Sequence, residues 1–268
     1  MVSGFVHLPD KDIHYVHAGT GKRLLLCFHG YGSNAYFFRN SLSYLTPSFT
    51  IVSVDLPHHG KTKCAEDALL SKDELKKIIE TLLHSFHQKT FSLFGYSIGG
   101  RICLCAVELF PMQVEQCVLA ASDGLSFHPF YHFVTGTTSG SKLFKRFLSD
   151  EKNLRFIEAA KRYKLIAESK YRFVLHYLKT QEDRKKLQQI WHSLSLLVPH
   201  HRHLRNIIAQ QSLPVQLFMG KRDTVIPLQK ARKFIEGLPT VHLTVLDKGH
   251  RLLDEETLPL ITQTLINR

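Results

Sequence analysis

Short apolar runs alternate with amphipathic segments along the first half of the chain. The apolar runs are LLLCFH (24–29), TIVSVD (50–55), FSLFGY (91–96) and VEQCVLAAS (114–122), and their length and composition predict strands buried on both faces. The segment SKDELKKIIETLLHSFHQ has apolar positions at helical spacing, and Ser71 with Glu74 predicts a capping box at its start. Strands that alternate with helices predict an α/β protein with a mostly parallel central sheet and helices on both faces.

The alternation is interrupted in the middle of the chain. From about residue 124 to residue 212 the pattern is helical and rich in aromatic residues, without a clear buried strand. The strand pattern returns in PVQLFMG (214–220) and VHLTVLD (241–247), and a last helix is predicted from about Leu252. We therefore predict an α/β core formed by residues 1–123 and 213–268. A helical cap at residues 124–212 is inserted after the strand that ends near Ser122.

Positive charge is concentrated in the predicted cap. The chain has a formal net charge of +12, and residues 125–212 contain 16 Lys and Arg residues against 6 Asp and Glu residues, whereas the rest contains 19 against 17. The segment has no recognisable nucleic-acid reader motif, so we predict no nucleic-acid partner. Two interpretations stay open: the basic side chains solvate the outer faces of amphipathic helices, or they attract an anionic or carrier-bound substrate.

Other compositional features bear on location and cofactors. No run of eighteen apolar residues is present, and the first residues, MVSGFVHLPDKD, lack the pattern of a secretory signal. Four of the five cysteines lie in apolar segments, as expected for reduced core residues. These features predict a cytoplasmic protein without an integral membrane segment. The histidines of PHHRH (199–203) have no Glu or Cys partner at metal-ligand spacing, so we predict no metal and no other cofactor.

The run LFGYSIGG (93–100) contains one serine among three glycines, between a predicted strand and a predicted helix. Gly95-x-Ser97-x-Gly99 in this context predicts a sharp turn that leaves the Ser97 hydroxyl exposed at the carboxyl edge of the sheet. The helix that begins at Ile98 would direct its free N–H groups towards the same place. The alternative interpretation is a glycine-rich turn without chemistry.

A serine nucleophile needs a base, and the base needs an acid that orients it. We predict His250 as the base, because VLDKGHRLL places it in the loop after the last strand. Asp223, which follows the strand ending at Gly220, is the predicted acid, although a turn or capping role is the alternative. Asp123 is the rival acid, because it follows the strand CVLAAS at the same edge of the sheet.

A carbonyl oxygen that gains negative charge needs hydrogen-bond donors already in position. CFHGYGSN (27–34) follows the first strong buried strand, and its two glycines allow the backbone to approach the site. We predict that the backbone N–H groups of Tyr31 and Ile98 form this oxyanion hole. His29 is interpreted as a structural residue that holds the loop.

Four motifs in this order resemble those of serine hydrolases with the α/β-hydrolase fold. The motifs are His29-Gly30-Tyr31-Gly32, Gly95-Tyr96-Ser97-Ile98-Gly99-Gly100, Gly220-Lys221-Arg222-Asp223 and Gly249-His250. The resemblance covers residues 1–123 and 213–268, and residues 124–212 match the family's variable cap by position alone. It implies a catalytic triad of Ser97, His250 and Asp223 that hydrolyses a small acyl ester or thioester through an acyl-enzyme.

The resemblance includes one departure and leaves other functions open. In DLPHHGKT (55–62) the family commonly has Asp-x-Pro-Gly-x-Gly-x-Ser, so His58 replaces a glycine and Thr62 replaces the serine. This change concerns the shape of the loop more than the chemistry. A serine at residue 97 disfavours haloalkane dehalogenases and epoxide hydrolases, which have aspartate there. The alternatives are cleavage of a carbon–carbon or amide bond by the same triad, and a noncatalytic protein that uses the pocket as a receptor.

Aromatic residues cluster at the start of the predicted cap. LSFHPFYHFV and KLFKRFL bring five phenylalanines close together in the sequence: Phe127, Phe130, Phe133, Phe144 and Phe147. Such a cluster forms either ordinary packing between helices and core or a wall that binds the acyl group of a substrate.

Overall fold

A computed structural model describes residues 1–126, 133–134, 137–149, 178 and 180–267. Within these residues nine strands form one sheet, in the order β1-β2-β4-β3-β6-β7-β8-β9, with β5 paired to β2. The strands are β1 (Val2–Leu8), β2 (Lys11–Ala18), β3 (Arg23–Phe28), β4 (Phe49–Val54), β5 (Lys63–Cys64), β6 (Phe91–Tyr96), β7 (Val114–Ala120), β8 (Val215–Gly220) and β9 (Val241–Leu246). From β4 to β9 in this order, every neighbouring pair is parallel.

Helices connect the strands, as the alternating pattern predicts. Ala35–Ser41 is a 3-10 helix that leads into α1. The α-helices are α1 (Leu42–Leu45), α2 (Lys72–Ser85), α3 (Ile98–Leu109), α4 (Thr138–Ser149), α5 (Gln181–Ser193), α6 (His201–Gln210), α7 (Leu228–Ile235) and α8 (Leu258–Ile266). The predicted capping box at the start of α2 is present, since the Ser71 side chain accepts from the Glu74 N–H and the Glu74 carboxylate accepts from the Ser71 N–H.

The sheet has a separate apolar core on each face. Alternate residues of β3 belong to different cores, with Leu24 and Leu26 on one face and Leu25 and Cys27 on the other. The first core includes side chains from α2, α3, α6 and α7, and the second includes side chains from the 3-10 helix, α1 and α8. The predicted α/β class, with helices on both faces of a mostly parallel sheet, is confirmed.

The described elements between β7 and β8 are all helices, which is the pattern expected for residues 124–212. α4 contacts α5, and α6 packs on α3 and places Leu204, Ile207 and Ile208 in the same core as the sheet. The described end of this segment is therefore attached to the core by apolar packing. The division into a core and a cap at residues 123 and 213 stays a prediction.

Two features of the fold bear on the location of the site. β3, β6, β8 and β9 are parallel, so the loops that follow them emerge at the same edge of the sheet. None of the helices in the described ranges is both long and apolar enough to cross a membrane.

Candidate active site

Ser97 lies on the turn between β6, which ends at Tyr96, and α3, which begins at Ile98. Its backbone has φ 52° and ψ −118°, a conformation that a residue with a side chain rarely adopts. The neighbouring glycines make this turn sterically possible. A Cβ atom at Gly99 would collide with the carbonyl oxygen of Phe28, so the helix can approach the adjacent strand only without a side chain there.

Ser97, His250 and Asp223 form one hydrogen-bonded chain. The distance from His250 Nε2 to Ser97 Oγ is 3.0 Å, and the distance from His250 Nδ1 to Asp223 Oδ2 is 2.8 Å. These are the lengths expected between a nucleophile, its base and the group that orients the base. The structure therefore brings together the three side chains that the motifs single out, over 153 residues of sequence.

The hydrogen bonds around Asp223 fix the orientation of its carboxylate. Its side chain is fully buried, and its Oδ1 atom accepts hydrogen bonds from the backbone N–H groups of Val225 and Ile226, at 2.8 and 2.9 Å. A carboxylate that accepts two backbone bonds through one oxygen presents the other oxygen to His250. His250 is also held through its own carbonyl, which accepts a hydrogen bond from the Tyr96 hydroxyl at 2.9 Å.

Asp123, the rival acid, has a different partner. Its Oδ2 atom lies 3.3 Å from Nε of Arg101, a side chain that is 1% exposed. The Asp123 N–H donates to the carbonyl oxygen of Ser97, which ties the end of β7 to the turn. Asp223, and not Asp123, thus lies within hydrogen-bond distance of His250.

The loop after β3 runs beside Ser97. A Cβ atom added to Gly30 would lie 3.2 Å from Cβ of Ser97, so the loop and the serine are in close contact. The imidazole of His29 is buried and lies 2.7 Å, through Nδ1, from the carbonyl oxygen of Gly30, while its Nε2 accepts from the Leu56 N–H at 3.3 Å. His29 therefore connects this loop to the loop after β4.

His59 holds the same loop from the other side. Its Nε2 atom accepts a hydrogen bond from the Gly32 N–H at 3.1 Å, and its Nδ1 lies 2.8 Å from the carbonyl oxygen of Pro57. The ring packs edge-on against His29, with 4.9 Å between centroids, and against Tyr31. No sequence motif singles out His59. Its role depends on the pairing of β3 with β4, which brings the loops after these strands together, and the sequence carries no local signal of that pairing.

Burial keeps both histidines of this pair neutral. Loss of hydration lowers the pKa of His29 to about 4, and burial together with the nearby His29 lowers the pKa of His59 to about 3. Since each ring has one nitrogen next to a carbonyl and the other next to a backbone N–H, the neutral form with a proton on Nδ1 satisfies both contacts. At neutral pH the pair is thus a fixed support for the loop beside Ser97.

The departure in DLPHHGKT changes the loop less than its letters suggest. His58 has φ 61°, the left-handed region in which glycine is favoured, so the family's glycine is explained by the backbone and the histidine adopts it under strain. Thr62 retains the hydroxyl, which donates to the carbonyl oxygen of Asp55 at 2.8 Å. The Asp55 carboxylate accepts from the backbone N–H groups of Ala35 and Lys61 and thereby joins two loops.

The predicted phenylalanine cluster is divided in the structure. Phe144 is stacked on Trp191 with 5.3 Å between ring centroids, next to the apolar side chains of Leu148, Leu178 and Leu187. Tyr31 packs against this group, which connects α4 and α5 to the loop beside Ser97. Phe133 and Phe147 are 43% and 37% exposed. Phe127 and Phe130 lie outside the described residues.

A cavity of about 450 Å³ lies between α4 and α5. Its basic lining residues include Lys142, Lys145 and Lys185, and Glu66 contributes a carboxylate that pairs with Lys185 at 2.5 Å. Neither Ser97 nor His250 lines it. Leu148 lines this cavity and also belongs to the apolar cluster against which Tyr31 packs.

The parallel sheet, the serine on a turn between strand and helix, and the histidine and aspartate after later strands are the arrangement of the α/β hydrolase fold. A family model for this fold matches residues 23–257, and the chain belongs to the α/β hydrolase family. The expected resemblance is thus confirmed, and the chain is a hydrolase of this superfamily.

Three similar proteins illustrate the range of the family. The chain is 27% identical over 263 residues to the hydrolase YugF of Bacillus subtilis (strain 168), covering 94% of this chain and 92% of YugF. It is 31% identical over 112 residues to a pimeloyl-[acyl-carrier protein] methyl ester esterase of Nitrosomonas europaea, covering 41% of each. The structure of a hydrolase from Pseudomonas aeruginosa PA01 superposes with a TM-score of 0.69 at 18% identity, over 99% of this chain and 97% of that one.

Proposed function

We propose that the protein is a serine hydrolase that cleaves a small acyl ester or thioester through an acyl-enzyme. The observation that carries the proposal is the hydrogen-bonded chain from Ser97 through His250 to Asp223. One of the similar proteins is named as an esterase that acts on pimeloyl-[acyl-carrier protein] methyl ester, which supports an acyl ester as the substrate class.

In the proposed reaction, the Ser97 oxygen attacks the carbonyl carbon while His250 Nε2 takes the hydroxyl proton. Asp223 stays ionised, keeps the proton of the neutral imidazole on Nδ1 and stabilises the imidazolium that forms. His250 then gives the proton to the leaving oxygen or sulfur, and an acyl-enzyme remains on Ser97. Water, activated by the same histidine, attacks this ester and releases the acid, so the enzyme returns to its starting state.

We assign the oxyanion hole to the backbone N–H groups of Ile98 and Tyr31. The N–H of Ile98 belongs to the first turn of α3, whose free N–H groups carry partial positive charge next to the nucleophile. The close contact between Gly30 and Ser97 supports the second donor, because it brings the Tyr31 loop to the serine. The neutral pair of His29 and His59 holds that loop in place before substrate arrives, which is the condition for electrostatic stabilisation of the transition state.

The cap would select the acyl group. Phe144 and Trp191 belong to the apolar cluster that packs against Tyr31, and they are the described aromatic residues placed to form one wall of an acyl site. The cavity lined by Lys142, Lys145 and Lys185 supports an anionic or carrier-bound substrate, because clustered positive charge attracts an anion to this side of the molecule.

The proposal is tested with a panel of esters, thioesters and amides that share one acyl group, using wild type, Ser97→Ala and His250→Ala. We expect each variant to lower kcat by several orders of magnitude, and the double variant to lose little more than either single variant, because the residues act as a unit. A fluorophosphonate probe should label Ser97 in the wild type, as located by peptide mapping.

The panel also separates the alternative functions. Hydrolysis of the amides in preference to the esters would replace the proposed substrate class but keep the triad. Near-normal turnover in Ser97→Ala would overturn the mechanism. A wild-type protein that neither hydrolyses the panel nor reacts with the probe at Ser97 would be a binding protein.

A further inference from the structure

Ser3, His14 and Asp55 form a second hydrogen-bonded chain, at a different place in the fold. The distance from Ser3 Oγ to His14 Nε2 is 2.6 Å, and the distance from His14 Nδ1 to Asp55 Oδ2 is 2.7 Å. Ser3 lies on β1, the edge strand of the sheet, and His14 lies on the neighbouring β2. The same three residue types are thus connected through the same ring atoms as in the chain that begins at Ser97.

The direction of the hydrogen bonds follows from Asp55. Its carboxylate accepts from two backbone N–H groups, from Ala35 through Oδ1 and from Lys61 through Oδ2, so both of its oxygens act as acceptors. The third contact, to His14 Nδ1, therefore needs a proton on that nitrogen. In the neutral imidazole, Nε2 then carries the lone pair, and the Ser3 hydroxyl donates to it. His14 is consequently placed to take the Ser3 proton, and Asp55 is placed to stabilise the imidazolium that results.

Along the hydrogen-bonded chain from Ser3 to Asp55, burial differs in a way that favours reaction at Ser3. His14 and Asp55 are 0% and 1% exposed, whereas Ser3 is exposed on the surface of the edge strand. The ring of Phe5 lies over His14, with 5.2 Å between centroids. The base is thus shielded from water while its serine can meet a reagent from solution.

We infer that Ser3 is a second nucleophilic serine and a site of acylation by small activated esters. The Ser3 oxygen attacks the carbonyl carbon of the ester while its proton passes to His14 Nε2. The bond from the carbonyl carbon to the leaving oxygen breaks, and the leaving oxygen takes the proton from His14 Nε2, so that a phenol or an alcohol departs. The product is an O-acyl Ser3, formed without any oxidant or reductant.

The site has a base but lacks the turn found at Ser97. Gly4 continues strand β1 after Ser3, so no helix begins next to the hydroxyl. A positioned base contributes about 10² to 10⁴ in rate, and a single oxyanion-hole donor contributes about a further 10² to 10³. We therefore expect stoichiometric acylation of Ser3 that is faster than that of an ordinary surface serine and slower than that of Ser97.

The experiment uses the full chain with Ser97→Ala, which removes the first nucleophile. The protein is incubated with 4-nitrophenyl acetate, and acetylation of each serine is followed over time by peptide mass spectrometry. Ser43 is the internal control, since it is exposed and no described histidine lies within hydrogen-bond distance of it. We expect acetylation of Ser3 to be about 10² times faster than that of Ser43. Equal rates at the two serines would overturn the inference.

Two further variants in the Ser97→Ala background distinguish the effect of the base, His14, from the effect of surface exposure alone. Ser3→Ala should abolish the modified peptide and leave Ser43 unchanged. His14→Gln should lower the rate at Ser3 to that at Ser43, with folding checked by circular dichroism and thermal unfolding. If this variant does not fold, the comparison of Ser3 with Ser43 in the protein that keeps His14 decides the question. Because Ser97 is absent throughout, failure at Ser3 leaves the proposed triad untouched.

Discussion

The neutral histidines beneath the loop at Ser97 make stability depend on pH in a way that a single substitution can reveal. His59 accepts from the Gly32 N–H and is 3% exposed, so its protonation would place a charge in the core and remove that acceptor. His59→Gln is the sharpest perturbation. The side-chain carbonyl of the new glutamine can still accept a hydrogen bond from the Gly32 N–H, whereas the amide cannot take up a proton near neutral pH.

The magnitude follows from the difference in pKa between the folded and unfolded chains. An unfolded histidine has a pKa of about 6.5, and burial lowers the pKa of His59 in the folded protein to about 3. Between these values the unfolded chain binds a proton that the folded protein does not. The free energy of unfolding therefore falls as pH is lowered, by about 1.4 kcal/mol per pH unit. From pH 7 to pH 5, His59 accounts for a loss of about 2 kcal/mol.

Urea denaturation of wild type and His59→Gln at pH 7 and pH 5 measures this term. The loss of unfolding free energy between the two pH values should be smaller in the variant by about 2 kcal/mol. Contributions of all other groups are common to the two proteins and cancel in the comparison. His242→Gln, which removes an exposed histidine of β9, is the matched control and should follow the wild type. Equal pH dependence in wild type and His59→Gln would refute the account of a neutral, buried His59.

Two further predictions concern the acid and the basic segment. Asp223→Asn should lower kcat by about 10³-fold to 10⁴-fold, whereas Asp123→Asn, which alters the pair with Arg101, should lower it much less. Steady-state kinetics measure both effects, and thermal unfolding checks that both variants fold. A larger loss in Asp123→Asn would assign the acid to Asp123. For an anionic thioester, kcat/KM should fall with added salt, mainly through a rise in KM, because salt screens charges beyond about 8 Å at physiological ionic strength. For a neutral ester with the same acyl group, kcat/KM should change little. Equal salt dependence for the two substrates would mean that the basic residues of 125–212 only solvate the surface.

Local signals in the sequence were sufficient for the central strands and for the turn at Ser97. Strands buried on both faces read as continuous apolar runs, so β3, β4, β6 and β7 are visible without knowledge of their neighbours. At residues 91–109 a strand turns sharply into a helix, and the helix must approach the neighbouring strand closely. Gly99 allows this approach, because a side chain there would collide with the carbonyl oxygen of Phe28. Because the residues that make this turn possible lie within one short segment, the turn can be predicted from the sequence of that segment.

Other features depend on which segments meet, and only the tertiary structure decides that. Strands β1 and β2 lie at an edge with mixed exposure, so their sequence lacks the apolar run that marks the centre of the sheet. Asp123 and Asp223 both follow strands at the same edge, and the prediction of Asp223 rested on the resemblance to the α/β hydrolases, because the sequence does not show which carboxylate contacts His250. The pairing of β8 with β9 brings the loop of His250 beside Asp223, and this places Asp223 within hydrogen-bond distance of the histidine.

The same reason explains His59 and the chain from Ser3 to Asp55. His59 acquires its role from Gly32, which is 27 residues away, and His14 acquires its role from Asp55, which is 41 residues away. Neither histidine lies in a motif that requires it. Each gains its hydrogen-bond partners only because the strands pair in the order that the sheet has. The sequence by itself determined the layers of the fold and the position of Ser97, the proposed nucleophile, because these rest on short-range sterics and burial. The partners of His14, His59 and His250 were decided by the order and register of the strands.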